Sequence, residues 1–212
     1  MDMKRRTLLA LPLLALFARP ARAELQLTAQ DRADIGRIEA YLNGLHTLKA
    51  RFLQVAPDGS TSQGITWMDR PGRMRFQYDK PSPLLLVAGH GLFVYYDRQL
   101  RQTTNIPLGS TPLGLLLSDH LTLSGDVTVT GIEREPGQVQ VTMVRTGSPG
   151  DGSLTLVFAD NPMALRQWVV LDAQRQETRV SLFDVQFGGT FDSAMFTFID
   201  PKVLPGSDKY YQ

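Results

Sequence analysis

The stretch WMDRPGRMRFQYDKP, residues 67–81, crowds Arg70, Arg73 and Arg75 among Trp67, Met74, Phe76 and Tyr78. Met74, Phe76 and Tyr78 alternate with Arg73, Arg75 and Gln77. That period of two marks a strand with one apolar and one polar face. Cations beside an aromatic row suit an anionic substrate, a polar latch next to an apolar wall, or the solvated side of a plain sheet.

The same alternation recurs along the chain. Val139, Val141 and Met143 alternate with Gln140 and Thr142, and Leu154, Leu156 and Phe158 with Ser153, Thr155 and Val157. Pro57-Asp58-Gly59-Ser60, Pro136-Gly137 and Pro149-Gly150-Asp151-Gly152 supply turn chemistry between them. Val180 and Leu182 are apolar on even positions, Phe183, Val185 and Phe187 on odd ones, a phase slip that reads as a β-bulge. About ten or eleven strands follow one another, which predicts one large curved antiparallel sheet or barrel. The expected class is mainly β with covering helices.

Two helices break the strand pattern. Thr28-x-x-Asp31 resembles a capping box, Ile35, Ile38, Leu42 and Leu45 follow at helical spacing, and Gly44 is a plausible stop. Residues 110–117, Ser-Thr-Pro-Leu-Gly-Leu-Leu-Leu, open with a hydroxyl cap and proline and are apolar almost all round. A helix so short and greasy is either a plug at a barrel end or a movable lid over an apolar cavity. The pattern alone favours the plug.

At the N-terminus, Lys4, Arg5 and Arg6 precede an apolar run at residues 8–17, and Ala21-Arg22-Ala23 supplies a cleavage site. This is a secretory signal, too short to span a bilayer. The expectation is therefore a cleaved segment, residues 1–23, followed by a single domain over residues 24–212. Export by the Sec route is expected; the arginine pair leaves the twin-arginine route open. Taking the five basic residues and one acid of the leader from 22 and 21 leaves 17 against 20, a net charge of −3. Such a balance gives no footing for nucleic-acid binding. The chain has no cysteine, so disulfides and thiolate metal sites are excluded.

Catalytic equipment is sparse. The sequence contains no nucleophile elbow, no phosphate-binding loop and no zinc-protease or dinucleotide motif. His46, His90 and His120 lie far apart, and none has a second ligand at helical spacing. An enzyme, a metal site and a cofactor are all unsupported.

Trp67-x-x-Arg70-Pro71-Gly72-x-Met74-Arg75-Phe76-x-Tyr78-x-x-Pro81 resembles the periplasmic outer-membrane lipoprotein carrier family, LolA. The similarity continues through Leu86-Val87, Tyr96-Asp97 and Gln102 to Thr111-Pro112-Leu113 and Phe196-Thr197-Phe198, from about residue 30 to residue 201. It implies an open, strongly curved β-barrel of about eleven strands whose mouth is covered by helices. Its apolar cavity would take lipoprotein acyl chains from an inner-membrane lipoprotein-releasing ABC transporter and yield them to an outer-membrane acceptor. The carrier would be periplasmic, monomeric and free of cofactors.

Together with the alternation, the resemblance nominates Leu48, Phe52, Trp67, Met74, Phe76, Tyr78, Leu113, Leu116 and Leu117 as the cavity lining. It also makes Arg70 the latch on lid-helix carbonyls. Simple alternation would put Arg70 on the Met68 face, but Pro71 disrupts the ladder there, so parity does not place it; the resemblance faces it toward the lid. Gly89-His90-Gly91, Val94 or Phe93, and Gly114 depart from the family pattern, which touches cargo range and partner identity more than fold. A carrier of another lipid, glycolipid or hopanoid, and a lipoprotein-sensing regulatory module stay open as alternatives. Arg70, Arg73, Arg75, Lys80, Arg98 and Arg101 place six basic residues within 32 positions. They form either a positive docking rim or separately solvated strand residues.

Overall fold

Thr28 starts the first helix as the sequence leads one to expect. Its hydroxyl accepts from the Asp31 amide (3.1 Å), and the Asp31 carboxylate accepts from the Thr28 amide (2.8 Å). The pair satisfies two donors that a helix start otherwise leaves bare. Helix α1 runs Ala29–Gly44 and buries Ile38 and Leu42. The structure, a computed structural model, describes residues 26–207; the expected signal segment, residues 1–23, lies outside them.

Eleven strands follow: β1 (Thr47–Val55), β2 (Thr61–Asp69), β3 (Arg73–Tyr78), β4 (Leu84–Gly89), β5 (Leu92–Asp97), β6 (Gln102–Pro107), β7 (Val127–Glu135), β8 (Gln138–Arg145), β9 (Gly152–Asp160), β10 (Met163–Asp172) and β11 (Glu177–Phe187). They form one curved antiparallel sheet in the order β6-β5-β4-β3-β2-β1-β11-β10-β9-β8-β7. Hairpins link sequential strands, and β11 pairs back onto β1. Strands β6 and β7 are not paired to each other, so the barrel stays open. The chain between these two edges carries a 3-10 turn (Leu108–Ser110) and helix α2 (Leu113–Leu116).

Alternation decides which residues enter the concave face. Leu48, Ala50 and Phe52 of β1, Met74, Phe76 and Tyr78 of β3, Val139, Val141 and Met143 of β8, and Leu154, Leu156 and Phe158 of β9 all join one core. Helix α1 adds Ile38 and Leu42 from inside the curve. Gly64 on β2 lacks a side chain because a Cβ there would meet the Gln77 carbonyl oxygen and the Phe52 ring. The expected bulge lies in β11. Lys49 pairs with Gln186 but Arg51 with Phe183, and Asp184 takes up the extra residue at φ 49°. Val185 packs against the core after the slip, while Phe183 is half exposed.

Strand β4 reads LLLVAG because both of its faces are covered. Leu86 and Ala88 enter the main core, whereas Leu85 and Val87 form a second cluster with Tyr96 and Phe198 on the outer face. The C-terminal segment, which includes a 3-10 turn at Ser193–Phe196, supplies that outer cover.

Candidate functional site

The three arginines of residues 67–81 have separate fates. Arg70 follows parity despite Pro71 and turns to the concave side, where it is 7% exposed. Its Nε and Nη2 donate to the Ser118 carbonyl oxygen (3.0 and 2.6 Å), and its Nη1 donates to the carbonyls of Leu42 and Leu45, the latter at 3.1 Å. One planar guanidinium thus joins the end of α1 to the end of the α2 segment, a task that suits a fork of donors better than a point charge. Burial lowers the Arg70 pKa from the usual arginine value, and the charge of Asp119 opposes the shift. Arg73 instead pairs with Asp69 (2.9 Å) and lies over the Phe196 ring. Arg75 points outward, is 5% exposed, and donates to the Met195 carbonyl oxygen (3.2 Å). Arg70 and Arg75 are therefore withdrawn from any positive rim of the six. The two are buried on opposite sides of the sheet, Arg70 against the ends of the helical segments and Arg75 under the C-terminal segment that covers the outer face.

Helix α2 is a single turn, shorter than the expected helix over residues 110–117. The Thr111 hydroxyl accepts from the Gly114 amide (3.2 Å), as a cap does. Gly114 is the one residue that fits its position, because a Cβ would stand 2.2 Å from the Leu108 carbonyl oxygen. Leu113, Leu115, Leu116 and Leu117 are all buried. Further contacts hold the segment from several elements. Gly72 donates its amide to the Leu117 carbonyl (2.8 Å), Arg145 Nη2 donates to that of Thr111 (3.3 Å), and Asn43 exchanges two hydrogen bonds with Leu121.

Beside this segment the concave face holds a cavity of about 530 Å³. One wall comes from Phe76, Leu86, Phe93, Tyr95 and Ile106, and the facing wall from Trp168, Val170 and Val180. Pro112 and Leu113 border it from the α2 segment. Phe76 and Trp168 meet edge to face at 6.1 Å, closing the floor. The volume falls in the range of about 300–1,000 Å³ usual for small-molecule sites. A groove of about 650 Å³ on the outer face is lined instead by glutamines and arginines around Val157, Val169 and Phe183.

Of the nominated lining, Phe76 and Leu113 border the cavity directly. Leu48, Phe52, Met74, Leu116 and Leu117 belong to the fully buried core beside it. Tyr78 is buried too, and its hydroxyl donates to Gln54 Oε1 (2.8 Å), a residue of the cavity wall. Burial raises its pKa well above the usual phenol range. Trp67 corrects the expectation: it stands on the outer face opposite Lys49, whose ammonium lies 6.0 Å from its ring centroid. Residue 67 has the parity of Arg75 across the β2–β3 ladder, not that of Phe76. Sequence reading missed Leu86, Phe93, Tyr95, Ile106, Trp168, Val170 and Val180. Period-two alternation marks Phe93 with Tyr95, but only the topology carries β10 and β11 across the concavity from them.

Among the described residues no cluster of three His, Asp or Glu side chains is placed to hold a metal ion. Asp31 and Asp34 serve structure. Burial works to raise the Asp34 pKa, but the Arg134 and Gln30 hydrogen bonds and the charges of Arg134 and Arg37 hold it below the usual carboxylate value. Arg134 of β7 donates to both Asp34 and Asp31 at 2.7 Å, tying α1 to one edge of the sheet.

Fold and site define an open β-barrel with an apolar cavity beside a helical segment hydrogen-bonded to Arg70. Residues 43–199 match the family described as Outer membrane lipoprotein carrier protein LolA, and the chain belongs to that family. The outer-membrane lipoprotein carrier protein of Methylococcus capsulatus is 31% identical over 174 residues, covering 78% of this chain and 83% of that one. Its counterpart in Pseudomonas paraeruginosa is 30% identical over 189 residues, covering 85% and 88%. A solved LolA superfamily protein from Nitrosomonas europaea aligns at a TM-score of 0.42 and 9% identity, over 77% of this chain and 97% of that one.

Proposed function

We propose that the protein is a periplasmic carrier that takes lipoprotein acyl chains into the 530 Å³ cavity. It receives them from an inner-membrane lipoprotein-releasing ABC transporter and passes them to an outer-membrane acceptor. The observation that supports this reading best is the pairing of that cavity with a bordering segment held by a few hydrogen bonds, from Arg145 to Thr111 at the cavity and from Arg70 to Ser118 at its far end. Acyl chains cannot cross an aqueous compartment uncovered, since exposing each CH₂ costs about 0.8 kcal/mol, roughly 10 kcal/mol per chain. A carrier has to supply comparable apolar cover and still let go.

In this account the arrangement in which Arg70 holds the Ser118 carbonyl is the closed state. Entry of a chain between Phe76, Trp168 and Leu113 pushes the α2 segment outward, and Arg70 loses the Ser118 carbonyl. The hydrogen bonds that reform on release, worth about 1 kcal/mol each, help to expel the cargo. Mass spectrometry of the lipids and lipoproteins that co-purify with the protein tests the reading. Triacylated or diacylated lipoproteins are expected. A glycolipid or hopanoid in their place makes the protein a carrier of that lipid, and no acyl species at all overturns the carrier reading.

A further inference from the structure

The cavity's opening carries a charge pattern that its apolar floor does not explain. Around the concavity formed by Phe76, Trp168 and Val180 stand Asp151, Asp172, Gln54, Gln174 and Gln176. Among the described residues that line the cavity, none is lysine, arginine or histidine. Arg175 lies between two lining residues yet is exposed outside the lining, and Arg179 is engaged with Glu177 at 3.0 Å. Asp172 is fixed in place, because its Oδ1 accepts from the amides of Gln174 (2.9 Å) and Gln176 (2.8 Å). Asp151 closes the 3-10 turn that leads into β9.

An acyl chain enters such a site with its headgroup at the rim. A phosphate or carboxylate there would lose hydration beside two like charges, with no cation in the lining to compensate, since Arg145, though bonded to the Thr111 carbonyl, lines a separate groove. An uncharged headgroup built of esters and amides meets glutamine side chains that can both donate and accept. We propose that Asp151 and Asp172 make the cavity selective for acyl chains on uncharged ester- or amide-bearing headgroups and against anionic lipids. Selectivity of this kind rests on repulsion of the wrong ligand, not only on attraction of the right one. The inference deepens the carrier reading and depends on it.

The test uses the purified mature protein and two fluorescent lipids with identical acyl chains, a diacylglycerol and a phosphatidic acid. Wild type is expected to bind diacylglycerol more tightly at low salt, with the gap narrowing as salt screens the rim. Asp151→Asn with Asp172→Asn keeps the hydrogen-bond acceptors and removes the charge. That variant should gain about fivefold in phosphatidic acid affinity, on the order of one pairwise interaction at the protein surface, and leave diacylglycerol unchanged. Equal affinity of wild type for both lipids, or an unchanged ratio in the variant, overturns the selectivity while leaving the acyl cavity standing. Failure of both lipids to bind wild type overturns the cavity reading and this inference with it. Asp151→Asn alone, which leaves the Asp172 turn untouched, should give an intermediate ratio.

Discussion

Arg70 and Ser118 are joined by two hydrogen bonds, from Nε at 3.0 Å and from Nη2 at 2.6 Å, while the same guanidinium reaches the carbonyls at the end of α1. The two helical pieces that flank the concave face therefore share one side chain. Arg70→Leu leaves the carbonyls of Leu42, Leu45 and Ser118 without that partner, at about 1 kcal/mol net each and more where a carbonyl stays buried. Hydrogen exchange at the Leu115 and Ser118 amides should accelerate at least about tenfold, the effect of roughly 1.4 kcal/mol. Arg70→Lys should fall between, because it keeps the charge and loses the fork. Wild-type exchange in Arg70→Leu would reduce the residue to a strand-end cap.

Gly114 gives a second, purely steric prediction. Its would-be Cβ lies 2.2 Å from the Leu108 carbonyl oxygen, and backbone cannot step aside as a flexible side chain does. Gly114→Ala should destabilise the protein by about 1–3 kcal/mol, as overpacking generally does. Chemical denaturation reads this directly. A change smaller than about 0.5 kcal/mol, the usual scatter of harmless surface substitutions, would show that the α2 segment is loosely seated.

The tie between α1 and β7 makes stability depend on acid. The Asp31 pKa is lowered from 3.8 to about 2, first by the Thr28 hydroxyl, then by Arg134, and Asp34 is lowered too. A carboxylate depressed in the folded state adds stability that is complete above its unfolded pKa and lost as pH falls through its folded one. The loss should run from near pH 3.8 down to about pH 2. Arg134→Leu should lower stability at neutral pH and flatten the slope in that window, as followed by denaturation at a series of pH values. Parallel wild-type and variant curves would contradict the assignment.

Much of the architecture is legible in residues that alternate or cap. Thr28 and Asp31 announce α1, the phase slip before Phe183 announces the bulge at Asp184, and the run from Val139 to Met143 announces an inward face. Parity alone does not place Arg70, because Pro71 breaks the ladder beside it; the resemblance points it toward the helical segment, and the chain keeps the Met68 phase on leaving β2. Trp67 shows where such reading fails. An aromatic beside an apolar row looks like cavity lining, yet one residue's difference in phase puts it outside with Lys49. Trp168 and Val170 are invisible as site residues until β11 pairs with β1 and curls β10 opposite β3. The burial of Arg75 depends likewise on a segment 120 residues away along the chain, for which the local sequence holds no signal.

The most direct test of the carrier account is release of a radiolabelled lipoprotein from inner-membrane vesicles, measured as soluble complex with the purified protein. Val170→Trp, at a half-buried position in the cavity wall, would fill the space an acyl chain needs while leaving the core beside it intact. The account predicts a soluble complex with wild type and little or none with a folded Val170→Trp. No release by wild type, or equal release by both proteins, would contradict it.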